Sequence, residues 1–272
     1  MYKYFKNIRR VLKTINNPLK KSENVSEKDK LEREFYDKEA EKYLQNFDEN
    51  LFRYDENEPF PPRHKFFYSL LENIKGKHIL DCCCGWGFTS VKLAKRGAFI
   101  SGIDISPKTI KLAEKNARFN NVSKFIKSKI MSVQQMSFDN NTFDYAVGLG
   151  ALHHLNLELV GKEISRVLKP GGKAIFLEPR IPFRWIMAFR SLTPVNCQES
   201  PGGGSLSDRE VYEFSRYFSD YRVYYFLLLR KFFRFPLLTK FASKTDKVDY
   251  LLINKLPILR KFCWAFVLEF TK

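Results

Sequence analysis

Apolar and polar positions along this chain follow two different periods. Residues 1–15 set Tyr4, Phe5, Ile8, Leu12 and Ile15 at helical spacing, with Lys3, Lys6, Arg9, Arg10 and Lys13 largely on the other side. That pattern predicts a basic amphipathic helix. Asn16, Asn17 and Pro18 end it, and the polar run 20–30 reads as a linker. A second helix is expected over 31–47, with Phe35, Tyr36, Ala40, Tyr43, Leu44 and Phe47 as its apolar stripe. The prolines of residues 55–63 remove donors and fix φ, which predicts a loop. One more helix is expected over 63–75.

From Lys77 to Glu178 the period changes. Short apolar runs alternate with helical stretches: HILDC, FTSVKLAKRG, AFISGID, SPKTIKLAEKNARF, KFIKSKI, TFDYAVGLG, LELVGKEISRVLK and KAIFLE. Ser106 is placed to cap a helix whose first residue is Pro107. Gly97 stops the preceding helix, and Pro170, Gly171 and Gly172 predict a turn before the next strand. Strands alternating with helices imply an α/β fold with a parallel sheet covered on both faces. Such sheets take ligands beyond the C-terminal ends of their strands. Residues 181–205 hold three prolines and the run Gly202, Gly203 and Gly204, a loop signature. A helix is expected over 208–217, strands over 220–229 and 264–270, and a basic aromatic insert between those strands. Three regions result: a basic helix and linker over 1–30, a helical lid over 31–75, and a main domain over 76–272. The last divides into a core (76–180), a loop and helix (181–217), and final strands with their insert (218–272).

Charge is unevenly spread. The 272 residues carry 47 lysines and arginines against 30 acids, a net +17. Residues 1–30 contribute +6 and residues 229–262 contribute +7. A positive surface favours a polyanion: nucleic acid, an anionic bilayer or a phosphorylated substrate. Each apolar run is broken by Lys or Arg, so none reaches the roughly 20 residues of a membrane span. No secretory signal is visible. Cys82, Cys83 and Cys84 are adjacent, which excludes a disulfide framework among them, and no CxxC pair or other metal-ligand spacing appears. The expected setting is the reducing cytoplasm.

The chemistry concentrates in HILDCCCGWGFTSVKLAKRGAFISGIDIS. A strand ends at Asp81, a turn with Gly85 and Gly87 follows, and a helix begins. Glycine admits a ligand close to the backbone, and a helix N-terminus offers unpaired amides. The next strand ends at Asp104, where a carboxylate can accept both hydroxyls of a ribose. These residues resemble the class I S-adenosylmethionine-dependent methyltransferases. The family has an acid followed by three alternating glycines after its first strand. This chain reads D-C-C-C-G-W-G, with Cys83 at the first glycine's place. Asp104 and Ile105 match the acid and neighbour ending the second strand. Ser132 and Val133 stand where an acid and an apolar residue hold adenine. GALHHL, with Leu149 just ahead of it, EISRVLKPGGKAIFLEP and FYDKEAEKY fit the same family. The resemblance spans about residues 33–180 plus the final strand pair. It implies a Rossmann-like, seven-stranded, mostly parallel sheet with helices on both faces, an N-terminal helical extension, and a basic helical insert before the last strand. It also implies S-adenosylmethionine as methyl donor. A nicotinamide dinucleotide is disfavoured by Asp81 ahead of the turn and by the adenine-side pattern.

A donor with an activated methyl needs an aligned acceptor, and a base where the acceptor keeps its proton. His153, His154 and Glu178, at the ends of the fourth and fifth strands, are the candidate bases; each also suits a backbone-bonding or turn-shaping role. Tyr36, Tyr43 and Trp86 can face the sulfonium, and both tyrosines equally suit core packing. Aromatics interleave with the basic clusters, which favours a bilayer surface at the inner membrane face over nucleic acid. The fourth strand also ends in Gly148, Leu149 and Gly150 rather than the Asn-Pro-Pro-aromatic motif of amino-methylating nucleic-acid enzymes. The expected function is methyl transfer, by preference to oxygen, on a small-molecule, sugar or lipid-linked acceptor. The alternatives are an RNA methyltransferase and a non-catalytic binding protein that keeps the fold.

Overall fold

The structure, a computed structural model, describes residues 25–57, 60–182, 204–229 and 242–272. The basic helix expected over 1–15 and most of the 181–205 loop lie outside these residues. Among them, seven strands form one sheet: β1 (His78–Cys82), β2 (Phe99–Asp104), β3 (Ile126–Ile130), β4 (Phe143–Leu149), β5 (Leu168–Pro179), β6 (Asp220–Phe226) and β7 (Ala265–Thr271). Their order is β3-β2-β1-β4-β5-β7-β6. The first five run parallel, and β7 lies antiparallel to both β5 and β6. Strand order reverses between β1 and β4, which opens a crevice at their C-terminal ends.

The helices are α1 (Val25–Gln45), α2 (Glu49–Phe52), α3 (Pro62–Ser69), α4 (Phe88–Lys95), α5 (Pro107–Phe119), α6 (Leu157–Val167), α7 (Asp208–Ser215) and α8 (Ala242–Lys255). The central strands are apolar at successive positions because both sheet faces are covered. Leu80, Ala146, Phe176 and Leu268 join Val160 and Ile164 of α6 on one face. Ile79, Val147, Ile175 and Val267 join Phe67 of α3 and Val91 of α4 on the other. Full burial of side chains such as Phe67 and Phe176 contributes about 1.5–3 kcal/mol each.

The expected sheet, its topology and its covering helices are all present. Several boundaries differ. Helix α1 begins at Val25, inside the stretch read as linker, because a polar run can be the solvent face of a helix docked elsewhere. Helix α3 stops at Ser69 rather than 75, where Arg96 takes the carbonyls of Tyr68 (3.3 Å) and Leu71 (2.6 Å). Helix α7 ends at Ser215 rather than 217. Pro170, Gly171 and Gly172 lie inside β5 as an irregularity, where pairing steps from Phe143 with Leu168 to Tyr145 with Lys173. Strand β6 ends at Phe226 rather than 229. Leu227 turns to φ +63, and the next two amides bond Asp249 instead of a strand.

Candidate functional site

The crevice is built from the turn after β1. Cys83 takes φ +53, Gly85 φ +53 and Gly87 φ +80, so three left-handed residues fold the chain back before α4. The turn is tied to its neighbour strand: the Cys84 amide donates to the Ile103 carbonyl at 2.9 Å. The Gly85 amide donates to Asp104 Oδ2 (3.1 Å) and the Ser106 amide to Asp104 Oδ1 (3.0 Å). Both carboxylate oxygens keep lone pairs for further donors. Burial pushes the pKa of Asp104 up, and the amides of Ser106 and Gly85 act against that rise. A Cβ on Gly85 would meet nothing within 4 Å, so the backbone there borders open space.

Helix α1 lies across the opening. Asp29, Glu32 and Tyr36 fall on one stripe of it, at spacings of three and four, and all three line the cavity. Four tethers hold it. Asp29 accepts from Gln134 Nε2 at 3.1 and 3.2 Å. Glu32 Oε1 lies 3.5 Å from His154 Nδ1. Asp37 accepts from Ser106 Oγ (2.6 Å) and the Lys108 amide (3.0 Å). Glu41 pairs with Lys108 at 2.5 Å. The enclosed cavity is about 190 Å³.

Nine of the sequence-predicted residues form its walls. Cys83 and Gly85 come from the turn, Asp104 and Ile105 from the end of β2, and Ser132 and Val133 from the loop after β3. Leu149 ends β4, His154 sits on the turn that follows, and Tyr36 descends from α1. The Tyr36 ring meets the His154 ring edge-on at 6.4 Å. The Cys83 thiol is raised well above its ordinary pKa by burial and by nearby carboxylates, so it stays protonated and is no nucleophile.

Six expected residues stand behind the walls instead. Asp81 is buried and accepts from Ser90 Oγ at 2.6 Å, which ties β1 to α4. Burial pushes its pKa up to about 7. Gly87 is the N-cap of α4, where a Cβ would stand 3.1 Å from Ala113 Cβ, so its smallness serves helix packing. Tyr43 packs on Trp86 at 4.4 Å, within an aromatic cluster around Phe52, which also keeps Trp86 off the wall. Glu178 is fully consumed: Oε1 accepts the amides of Ala151 (2.8 Å) and Leu152 (2.9 Å), and Oε2 lies 2.7 Å from His153 Nδ1. His153 and Glu178 therefore brace the turn that carries His154. Asp29, Glu32, Met131, Gly150, Ala151 and Leu155 line the cavity without having been expected. The Asp29–Glu32–Tyr36 spacing was the signal available for the first two.

Residues 80–176 match the family described as "Methyltransferase domain". Over that third of the chain the sequence is similar to the class I S-adenosylmethionine-dependent methyltransferases. It is 39% identical over 115 residues to the sterol 4-C-methyltransferase of Caenorhabditis elegans, covering 41% of this chain and 34% of that one. It is 32% identical over 117 residues to a ubiquinone biosynthesis O-methyltransferase of Coxiella burnetii, covering 43% of this chain and 49% of that one. The match thus spans half or less of these relatives' length. Geranyl diphosphate C-methyltransferase from Streptomyces coelicolor, solved with S-adenosyl-L-homocysteine, shares the fold at TM-score 0.52 and 16% identity, over 76% of this chain and 75% of that one. The family's donor, S-adenosylmethionine, fits the residues present. A buried carboxylate suits the ribose diol, Ile105, Val133 and Leu149 suit the adenine faces, and open space borders the Gly85 backbone.

Proposed function

We propose that this chain transfers the methyl group of S-adenosylmethionine to a hydroxyl of a small lipophilic acceptor, at the surface of an anionic membrane. The observation that carries the reading is His154, which stands in the wall of the donor cavity with a buried carboxylate beside its ring. Asp104 holds the ribose hydroxyls, the Ser132 hydroxyl takes the adenine amine, and the Tyr36 ring faces the cationic sulfur. The bound donor supplies an already activated methyl group. The protein's task is alignment, which is worth roughly 7–11 kcal/mol in favourable cases. His154 takes the acceptor's proton at Nε2, while Glu32 beside Nδ1 fixes the ring and stabilises the imidazolium that forms. His153 and Glu178 position His154 through the turn they brace.

Lipophilicity is supported by what the similar proteins are named for: a sterol, ubiquinone biosynthesis and geranyl diphosphate. Membrane contact is supported by the surface around α8. Val248, Tyr250, Leu251, Leu256, Ile258 and Phe262 are exposed there, interspersed with Lys255, Arg260 and Lys261. Each cation near an anionic bilayer contributes about 1 kcal/mol. Among the described residues no helix is long and apolar enough to cross a membrane, so this contact is peripheral. Free thiols at Cys82, Cys83, Cys84 and Cys263 fit a cytoplasmic enzyme at the inner face.

The test is transfer of a tritiated methyl from the donor to an organic-phase extract of cells that express the protein. Label is expected in the organic phase, and His154→Ala should lower kcat about 100-fold while leaving affinity for S-adenosylhomocysteine unchanged. Label on RNA, with binding that falls steeply with salt, would replace this reading with a nucleic-acid one. Donor binding with no transfer to any extract would leave a binding protein.

A further inference from the structure

A cavity of about 440 Å³ lies under the edge strand β6, between α3 and α8, walled by apolar side chains such as Phe66, Phe226 and Ile253. The donor cavity differs: three carboxylates stand in its wall, those of Asp29, Glu32 and Asp104. Two of them have a task in methyl transfer. Asp104 takes the ribose hydroxyls, and Glu32 lies beside the His154 ring. Alignment and proton transfer make no use of the third, Asp29.

Asp29 opens the second turn of α1, and its carboxylate is anchored to the loop after β3. Gln134 Nε2 donates to its two oxygens at 3.1 and 3.2 Å. The sense of that bond is fixed, because Gln134 Oε1 accepts the Asn156 amide at 2.9 Å and so leaves the side-chain nitrogen for Asp29. Among the described residues Asp29 takes its hydrogen bonds from Gln134 alone. A carboxylate has about four lone-pair sites, so most of its accepting capacity stays open. Burial pushes its pKa up, the Gln134 bond and the Lys28 charge act against the rise, and the Glu32 charge adds to it. A further donor would stabilise the ionised form.

The same loop carries Ser132. Its hydroxyl oxygen accepts the Gln134 amide at 3.2 Å, which leaves one lone pair. One lone pair answers one N–H, and the exocyclic amine of adenine has two. In an enclosed cavity the second N–H costs stability unless it also finds an acceptor. The neighbouring wall side chains Ile105 and Val133 are apolar, and the carboxylate bonded to this loop is that of Asp29.

We propose that Asp29 reads the base of the donor: its carboxylate takes one N–H of the adenine amine while the Ser132 hydroxyl takes the other. The helix over the opening then carries part of the nucleobase specificity, and a bound adenine ties α1 to the loop after β3. The proposal rests on the donor reading of this cavity.

The experiment titrates the full chain with S-adenosylhomocysteine and with S-inosylhomocysteine, which has a carbonyl in place of the amine. The wild type should prefer the adenosyl compound by roughly 100-fold, since a carbonyl oxygen facing a carboxylate leaves both without a donor. Asp29→Asn keeps an acceptor for Gln134 and adds a donor for the inosine carbonyl. It should weaken S-adenosylhomocysteine about tenfold, tighten the inosyl compound, and bring the two affinities within about threefold of each other. Asp29→Ala should weaken the adenosyl compound more than the inosyl one. Glu41→Gln loosens α1 outside the cavity and should leave the ratio of affinities as in the wild type. Without any variant, S-adenosylhomocysteine should slow amide exchange in the first three turns of α1 more than the inosyl compound does at equal saturation. Equal affinities in the wild type, a ratio that Asp29→Asn leaves unchanged, or a ratio that Glu41→Gln shifts as much, overturns the proposal while donor binding stands. No binding of S-adenosylhomocysteine by the wild-type chain overturns the donor reading itself.

Discussion

One sheet edge carries two cavities of opposite character. At the β1/β4 end the walls hold carboxylates, a histidine and a left-handed cysteine, nearly all fixed by bonds to backbone or to one another. At the β6 end the walls hold aromatic and aliphatic side chains, and the one carboxylate there is answered by two amides. The difference follows from topology. Where strand order reverses, parallel strands end with their polar termini facing one another, and carboxylates can be buried only with donors around them. Where an antiparallel pair forms the edge, the strand end is covered by helices that contribute their apolar faces. The polar end is lined by groups that hydrogen-bond, and the apolar end by side chains that exclude water. The polar end also stores unfavourable terms that the apolar end lacks, which makes the contrast measurable.

The largest expected effect is at Asp81. Its carboxyl is raised from 3.8 to about 7, first by burial, with the Asp104 charge adding and Ser90 opposing. The folded chain therefore holds a proton that the unfolded chain has released across that interval. The stability in question is full below pH 3.8 and lost as pH rises toward 7. In order of magnitude the loss reaches about 4 kcal/mol. Asp81→Asn keeps an acceptor for Ser90 and removes the titration. Urea midpoints should show the variant's advantage growing from acidic to neutral pH; parallel curves would mean that the carboxyl is not under this load.

Next is Glu32→Gln, which tests whether the polar end orients a base. It should lower kcat about tenfold at unchanged affinity for S-adenosylhomocysteine, and Glu32→Asp should recover part of the rate. Equal loss in both variants, with weaker donor binding, would make Glu32 a tether of α1 alone. The smallest effect belongs to Cys83. An L-residue at φ +53 costs about 1 kcal/mol that glycine avoids, so Cys83→Gly should raise stability by about that amount. A drop would show that the Cys83 side chain contributes more through packing than its backbone costs.

Local pattern revealed much of this architecture. Alternating strand and helix periods specified the sheet, and the strand-end acid Asp104 with its neighbour Ile105 lies in the wall of the crevice. What it missed has physical causes. Asp29 and Glu32 lie in or beside a polar run, and nothing in composition separates a solvated linker from a helix whose acids reach across a crevice. Asp81 and Glu178 end buried strands, and pattern alone cannot tell a carboxylate facing a ligand from one facing Ser90 or two backbone amides. Tyr36 and Tyr43 share one stripe of α1, yet only the first overlies the opening. The second cavity joins Phe66, Phe226 and Ile253, which are far apart along the chain, so no window of sequence contains it.

The most direct test of the account is calorimetric titration of S-adenosylhomocysteine into the wild-type chain and into Asp104→Ala. The account predicts one saturable site in the wild type. It predicts affinity lower by about 100-fold in the variant, the loss of roughly 3 kcal/mol of hydrogen bonding from two ribose hydroxyls to a carboxylate. No binding heat in the wild type, or equal affinities in a variant that remains folded, would contradict it.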